Sequence, residues 1–383
     1  MNIHVMLTGP SALNGLASTQ RVQNLFFPLL KKKLIELSNL DLSNSDKDIS
    51  NTIGIKYQNI KYTSYLSYLF KIRNGKKFIS KNYNPNVNNI FYVYGYPSIL
   101  NIAFIKFSKK VGYKIVFDIV EDITTLKSIN PFKAIKRYIA FRLFKRIHKI
   151  TNTCFAISDI LVSKIKTSIP KLSGVYKLPA CVDFTRLPEP KQSIKQNDPL
   201  EIFYGGSFGS KDGLKFLLEA TKALVNNNIN IKLVLTGKGN KTDFESFFNT
   251  VEKLKLKKHI DYKGFVSTKE YLKLLSHSDI CCITRINSPF ANAGFPFKLG
   301  EFLASGKPVI ATNIGEISSY LNNTNAILIE PENSESLVDS LIKLLNSSEL
   351  RKELGQAGQE TAYKYFDAEK VSQELYKTLQ NLR

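Results

Sequence analysis

Residues 294–312, GFPFKLGEFLASGKPVIAT, set a glycine-opened turn, a helix with one acid and an apolar run in immediate succession. That order of residue types suits an anion. A turn at Gly294 and Pro296 aims the first amides of the next helix outward, where the positive end of the helix dipole meets phosphate oxygens. Glu301, about one helical turn further in, is placed to accept hydrogen bonds from ribose hydroxyls. Lys298 in the same loop and Lys211 after the turn at Gly205 and Gly206 are cations able to stabilise the charge on a departing diphosphate without a metal. Further glycine turns follow predicted strands at Gly9, Gly206 and Gly237. Each glycine alone is what any turn after a parallel strand needs, and each lysine alone is what any solvated surface carries. Taken together they point to one phosphate-binding region.

Composition bounds what can surround that region. At 383 residues and 43% hydrophobic, the chain is globular and long enough for two cores. Cys154, Cys181, Cys281 and Cys282 have neither CxxC nor metal-ligand spacing, and no DxD metal motif stands in a suitable loop. The opening MNIHVMLTGP reads as strand and turn, not as a signal peptide. The longest uncharged run, between Lys81 and Lys106, is broken by asparagines, Gly95 and Pro97, so no membrane span is predicted. A cytoplasmic protein is expected, on the inner face of the membrane for the reason that follows.

The net charge is +22, and it is lopsided. Residues 1–186 hold 29 Lys or Arg against 9 Asp or Glu, whereas the remainder holds 25 against 23. Something anionic is expected to meet the first part; nucleic acid, lipid and a phosphorylated acceptor all satisfy the charge, and codon bias toward lysine is the alternative. Residues 127–149 carry eight Lys or Arg and no acid. Phe132, Ile135, Ile139, Leu143, Ile147 and Ile150 recur at three and four, a stripe expected to pack inward, with Phe141 and Phe144 outside it. Lys133, Lys136 and Arg137, followed by Arg142, Lys145, Arg146 and Lys149, would then lie on an anionic bilayer or simply face water.

The elements that must position these residues alternate. The first part opens with an apolar run at 2–7, a turn through Gly9, Pro10 and Gly15, and a helix capped by Ser18 or Thr19 whose apolar positions run from Val22 to Leu30, with Pro28 as a kink. Residues 39–51 read as a polar loop. Strands are predicted at 90–94, 114–118 and 153–157, with helices after Pro97 and from Ser158. Six further apolar runs begin at Leu200, Ile231, Ile260, Ile280, Pro308 and Ala326. Such alternation predicts two doubly wound α/β domains, whose ligands gather beyond the carboxyl ends of the strands. The proline-bearing stretch 187–199 is the expected linker between domains 1–186 and 200–365, and a last helix in 366–383 is expected to pack back on the first domain.

The segments FYGGSFGSKDGLKFLLEA, LVLTGKGN, IDYKGFVSTKEYLKLLSHSDICC and GFPFKLGEFLASGKPVIATNIGE follow in an order and spacing that resemble the retaining glycosyltransferases of family 4, the glycosyl transferases group 1. FAISDIL and LPACVDF in the first part also look like family segments. The resemblance covers nearly the whole chain and implies the GT-B fold, two Rossmann-like domains facing across a cleft, with transfer of a sugar from a nucleotide donor, UDP- or GDP-linked, and no cofactor or metal. It implies that Glu301 holds the donor ribose; that Gly294, Phe295, Pro296 and Phe297, running into Leu299, hold the diphosphate and sugar; that the backbone near Phe265 and Val266 holds the base; and that Gly9 and Gly15 form the opposite wall. Three departures stand out. Ala293 occupies the place of a common glutamate, Ser207 that of an arginine, and the first domain has no evident active-site histidine. The expected partners are a nucleotide sugar, a lipid-linked saccharide acceptor of cell-surface polysaccharide assembly and an anionic membrane surface. A nucleotide-sugar epimerase and a catalytically silent relative are the alternatives, and the basic segment has no nucleic-acid-reading motif.

Overall fold

The computed structural model describes residues 3–9, 17–42, 54–60, 65–125, 130–188 and 199–382. Gly15, the start of the basic segment and most of the expected linker lie outside the described residues. In chain order the first elements are β1 (Ile3–Gly9), α1 (Ala17–Lys31), β2 (Ile35–Asp41), β3 (Ile55–Asn59), α2 (Tyr65–Lys81), β4 (Asn88–Tyr94), α3 (Ile102–Val111), β5 (Lys114–Ile119), α4 (Pro131–Phe144), β6 (Thr153–Ala156), α5 (Asp159–Ser168) and β7 (Gly174–Lys177). Then come β8 (Leu200–Ser207), α6 (Leu214–Asn226), β9 (Ile231–Lys238), α7 (Lys241–Lys253), β10 (Ile260–Tyr262), α8 (Thr268–His277) and β11 (Ile280–Ile283). The chain closes with α9 (Pro289–Ala293), α10 (Phe297–Ala304), β12 (Val309–Thr312), β13 (Ile327–Ile329), α11 (Ser334–Leu345), α12 (Ser348–Tyr365) and α13 (Ala368–Gln380).

Two units result, Met1–Cys181 with Ala368–Arg383, and Val182–Asp367. Unit 1 holds a parallel sheet in the order β3-β2-β1-β4-β5-β6-β7. Steps from β3 to β4 and onward to β7 all run one way across it, so right-handed crossovers place α2 to α5 on one face. The step from β1 to β2 runs the other way and puts α1 on the opposite face. There Val22, Leu25, Phe26 and Leu29 of α1 meet Val371, Leu375 and Leu379 of α13 over Val5, Leu7 and Tyr92. Unit 2 repeats the plan with a six-stranded parallel sheet, β10-β9-β8-β11-β12-β13.

The unit boundary falls a few residues ahead of Arg186. The Val182 amide donates to the Phe366 carbonyl at 2.7 Å, and the Phe184 ring stands edge-on to Tyr363, so the stretch after Cys181 packs on the end of α12. Residues 39–41 are strand, not loop: Asn39 and Asp41 are buried in β2, and Asp41 accepts from the Tyr57 hydroxyl at 2.6 Å. The stripe of 127–149 does not pack inward as a whole. Asn130 caps α4 by accepting from the amides of Phe132 and Lys133, and the helix ends at Phe144, so its first turns stand clear of the sheet. Phe132 is 75% exposed and Ile135 55%, whereas Phe144 is buried against Tyr96. Asp118, at the carboxyl end of β5, is withdrawn from any ligand: Arg21 grips both of its oxygens at 2.8 Å and also donates to the carbonyls of Leu178 and Pro179.

Candidate functional site

At the carboxyl end of the unit 2 sheet, β8 and β9 run together through Gly206 and Gly237, which are paired in register. A Cβ on Gly237 would stand 1.7 Å from the Gly206 carbonyl oxygen, and one on Gly206 would stand 2.3 Å from Lys298 Nζ. Close approach of backbone therefore requires glycine at 237, whereas at 206 the neighbour is the movable end of the Lys298 side chain. The space so left admits the Lys298 side chain, whose Nζ lies 3.9 Å from the centre of the Tyr204 ring. That Nζ is buried with no hydrogen-bond partner, a condition that calls for an anion. Burial pushes its pKa down to about 8; Asp212 opposes the fall, while Arg285 and Lys211 add to it.

Ser207 does not leave a gap where a cation could have stood. Its hydroxyl donates to the buried Asp212 carboxylate, and its carbonyl accepts from the Tyr204 hydroxyl. The brace reaches the neighbouring strand, since Thr284 donates to the Asp212 carbonyl at 2.9 Å and the Ile286 amide to the Lys211 carbonyl at 3.0 Å. Lys211 itself lies 4.9 Å from the Phe290 ring centre. Lys211, Lys298 and Arg285 thus converge around one committed carboxylate, an excess of positive charge suited to a diphosphate.

Glu301 sits on α10 behind this cluster. Burial raises its pKa to about 7, moderated by Tyr271, Arg186 and Lys298. The Tyr271 hydroxyl lies toward it without closing a hydrogen bond of normal geometry, so the carboxyl keeps capacity for a ligand hydroxyl. Ala293 is buried at the end of α9 and adds no second acid.

Lys211, Lys298, Glu301, Gly206 and Gly237 come together in unit 2. The remaining positions divide. Phe295 turns its ring into the interior against Tyr320 and Phe366, so only its backbone is on offer. Leu299 offers neither side chain nor amide, being buried with its N–H donated to Pro296 at 3.0 Å; the turn of α10 consumes it. Phe265 is exposed with Lys238 Nζ 4.5 Å from its ring centre, Val266 is half-buried beside it, and the loop is held by the Gly237 amide donating to Gly264 at 2.9 Å. Gly9 ends β1 in unit 1, packed against Tyr94. Tyr204, Asp212 and Tyr271 were not foreseen; an aromatic inside a buried strand and an acid inside a turn carry no local signal. Among the described residues no group of three His, Cys, Asp or Glu could hold a metal ion, and no helix is long and apolar enough to cross a membrane.

Two Rossmann-like units, with Lys211, Lys298 and Arg285 gathered at the strand ends of one, define the fold class. Residues 186–361, which fall within unit 2, match the family described as Glycosyl transferases group 1. The chain is 28% identical over 161 residues to an uncharacterized glycosyltransferase of Methanocaldococcus jannaschii, covering 42% of each chain. It is 22% identical over 264 residues to the capsular polysaccharide biosynthesis glycosyltransferase CapM of Staphylococcus aureus, covering 65% of this chain and 66% of that one. The chain thus spans less than half the length of the first relative and just under two thirds of the second. HepE of Anabaena, solved with UDP and glucose, matches over 99% of this chain and 100% of its own at 13% identity and a TM-score of 0.75, which shows the GT-B fold.

Proposed function

We propose that the protein is a retaining, metal-independent glycosyltransferase that moves a sugar from a nucleoside diphosphate donor to a lipid-linked saccharide in cell-surface polysaccharide assembly. The buried Lys298 Nζ, with the Tyr204 ring against it and no hydrogen-bond partner, carries this reading, because an amine enclosed beside Arg285 and Lys211 gains most from an anion. In the proposed mechanism the donor diphosphate is neutralised by Lys298 and Lys211, the start of α10 ahead of Leu299 faces its oxygens, and Glu301 accepts from the ribose. As the glycosidic bond breaks, charge grows on the leaving phosphate where these cations are already fixed, so little reorganisation accompanies the step. The acceptor hydroxyl attacks from the same face and its proton passes to the departing phosphate oxygen, which accounts for the lack of an assigned base.

CapM's role in capsule biosynthesis and the UDP and glucose bound to HepE support the acceptor class and a UDP-linked donor. The acid-free α4 supports placement against the inner face of the cytoplasmic membrane, where a lipid-linked acceptor would be met. Incubation with labelled UDP- and GDP-sugars and membrane lipid extract tests the whole reading. Label should move to lipid without added divalent metal and with the donor's anomeric configuration kept. Release of free epimer, or no turnover with any donor, would sink it.

A further inference from the structure

Among the described residues, the exposed large apolar side chains of unit 1 are grouped, apart from Tyr176 on the edge strand β7. Leu69 and Phe70 lie near the start of α2, Ile99 in the turn before α3, Phe132, Ile135 and Tyr138 in the first turns of α4, and Ile160 at the start of α5. In a parallel sheet the first turn of each crossover helix stands at the carboxyl edge of the strands. All four helices cover the same face, so these residues form one rim, on the edge where ligands gather. Phe70 at 82% and Phe132 at 75% exposure are far beyond what a packed helix leaves in water.

Charge follows the same face. α2, α3 and the stretch from α4 to Lys149 carry fifteen Lys or Arg and no acid. They are joined into one layer: α2 and α3 pack together through Tyr68 and Phe104, Lys76 lies over the Phe107 ring, and Lys109 donates to the Lys149 carbonyl at 2.8 Å. Between Asp48 and Asp159 the only acids are Asp118, Glu121 and Asp122. Of these, Asp118 is bound to Arg21 and Asp122 to Lys164.

We propose that unit 1 docks on an anionic lipid bilayer through this rim, with Leu69, Phe70, Ile99, Phe132, Ile135 and Tyr138 entering the acyl chains while the cations behind them hold the headgroups. A face whose α2, α3 and α4 carry no acid and whose tips are aromatic, with Glu121 and the Lys177-paired Asp159 at its margin, fits a bilayer, whose charge lies outside and whose interior takes apolar side chains. The inference rests on the membrane reading of α4 given above and widens it to α2 and to penetration rather than adsorption. It also gives the lipid-linked acceptor a short route: its tail stays in the bilayer while its sugar meets the strand ends.

The chain contains no tryptophan, so Phe70→Trp and Phe132→Trp each install a single tryptophan, excited apart from the tyrosines, in the full-length protein. With vesicles of phosphatidylglycerol and phosphatidylethanolamine, both emissions should shift to the blue and be quenched by lipids brominated along the acyl chain. Phe70→Ser should weaken vesicle partition by ~10-fold and remove the fraction that survives high salt, since apolar insertion is not screened. A response from the α4 fluorophore (Phe132→Trp) without one from the α2 fluorophore (Phe70→Trp) would overturn the inference and leave the α4 reading standing. Silence from both would overturn both. A blue shift of the Phe70→Trp protein with single-stranded RNA but not with vesicles, or a lipid-free dimer abolished by Phe70→Ser, would reject the bilayer in favour of a polyanion or a second copy.

Discussion

At neutral pH Lys298 holds a proton in surroundings that disfavour one. Its pKa stands at about 8 in the folded protein against 10.5 in the unfolded chain, a difference of about 3 kcal/mol. The folded state binds fewer protons between those values, so this lysine lowers stability below pH about 8 and ceases to do so as pH rises through that window. Lys298→Met should therefore stabilise the ligand-free protein at pH 7 by about 2 kcal/mol, after allowing for the lost contact with Tyr204, while abolishing nucleotide binding. Urea unfolding and calorimetry check the two halves. Glu301 runs the other way: its pKa is raised to about 7, the folded state binds more protons between 4.5 and 7, and stability falls as pH rises through that range. The proposed donor site needs Lys298 charged and Glu301 ionised, so affinity for UDP should peak between pH about 7 and 8 and decline on both sides. Glu301→Ala should weaken it by ~10-fold or more and remove the acid limb, and unchanged affinity would refute the role given to that carboxylate.

Helix α13 is the element on which unit 1 depends most. It comes from the far end of the chain, yet Leu375 and Leu379 complete the core over α1. Leu375→Ala should cost about 3 kcal/mol in urea unfolding, the usual result of emptying a buried leucine site. Truncation after Asp367 would bare Val22, Leu25, Phe26 and Leu29 together, and the product should be insoluble. At the other unit, the paired ends of β8 and β9 allow no side chain at Gly237. Gly237→Ala should push the Gly206 carbonyl away, displace Lys298 and lose nucleotide affinity before the unit unfolds, measurable by titration beside a thermal melt.

Over the whole molecule, two separate cores and two parallel sheets make two unfolding events the expected behaviour. A nucleoside diphosphate should raise only one of them, that of unit 2, because the cations gathered there lie in that unit alone. Vesicle binding should belong to unit 1 and weaken with salt, as an electrostatic approach does. A calorimetric scan in the presence of UDP, and of anionic vesicles, separates these responses.

Local pattern alone located most strands and helices, because a strand buried on both faces must be an apolar run and a crossover helix must show one apolar stripe. The helix that follows Gly294 and carries Lys298 and Glu301 was legible for the same reason: turn chemistry and helix position are properties of neighbours in sequence. What surrounds those side chains was not legible. That Ser207 braces Asp212, that Leu299 is spent on packing, that Asp118 is locked to Arg21 and that α4 presents its phenylalanine outward all depend on which distant element arrives alongside. Periodicity tells which residues share a helix face, but only the packing of the chain decides whether that face meets a core.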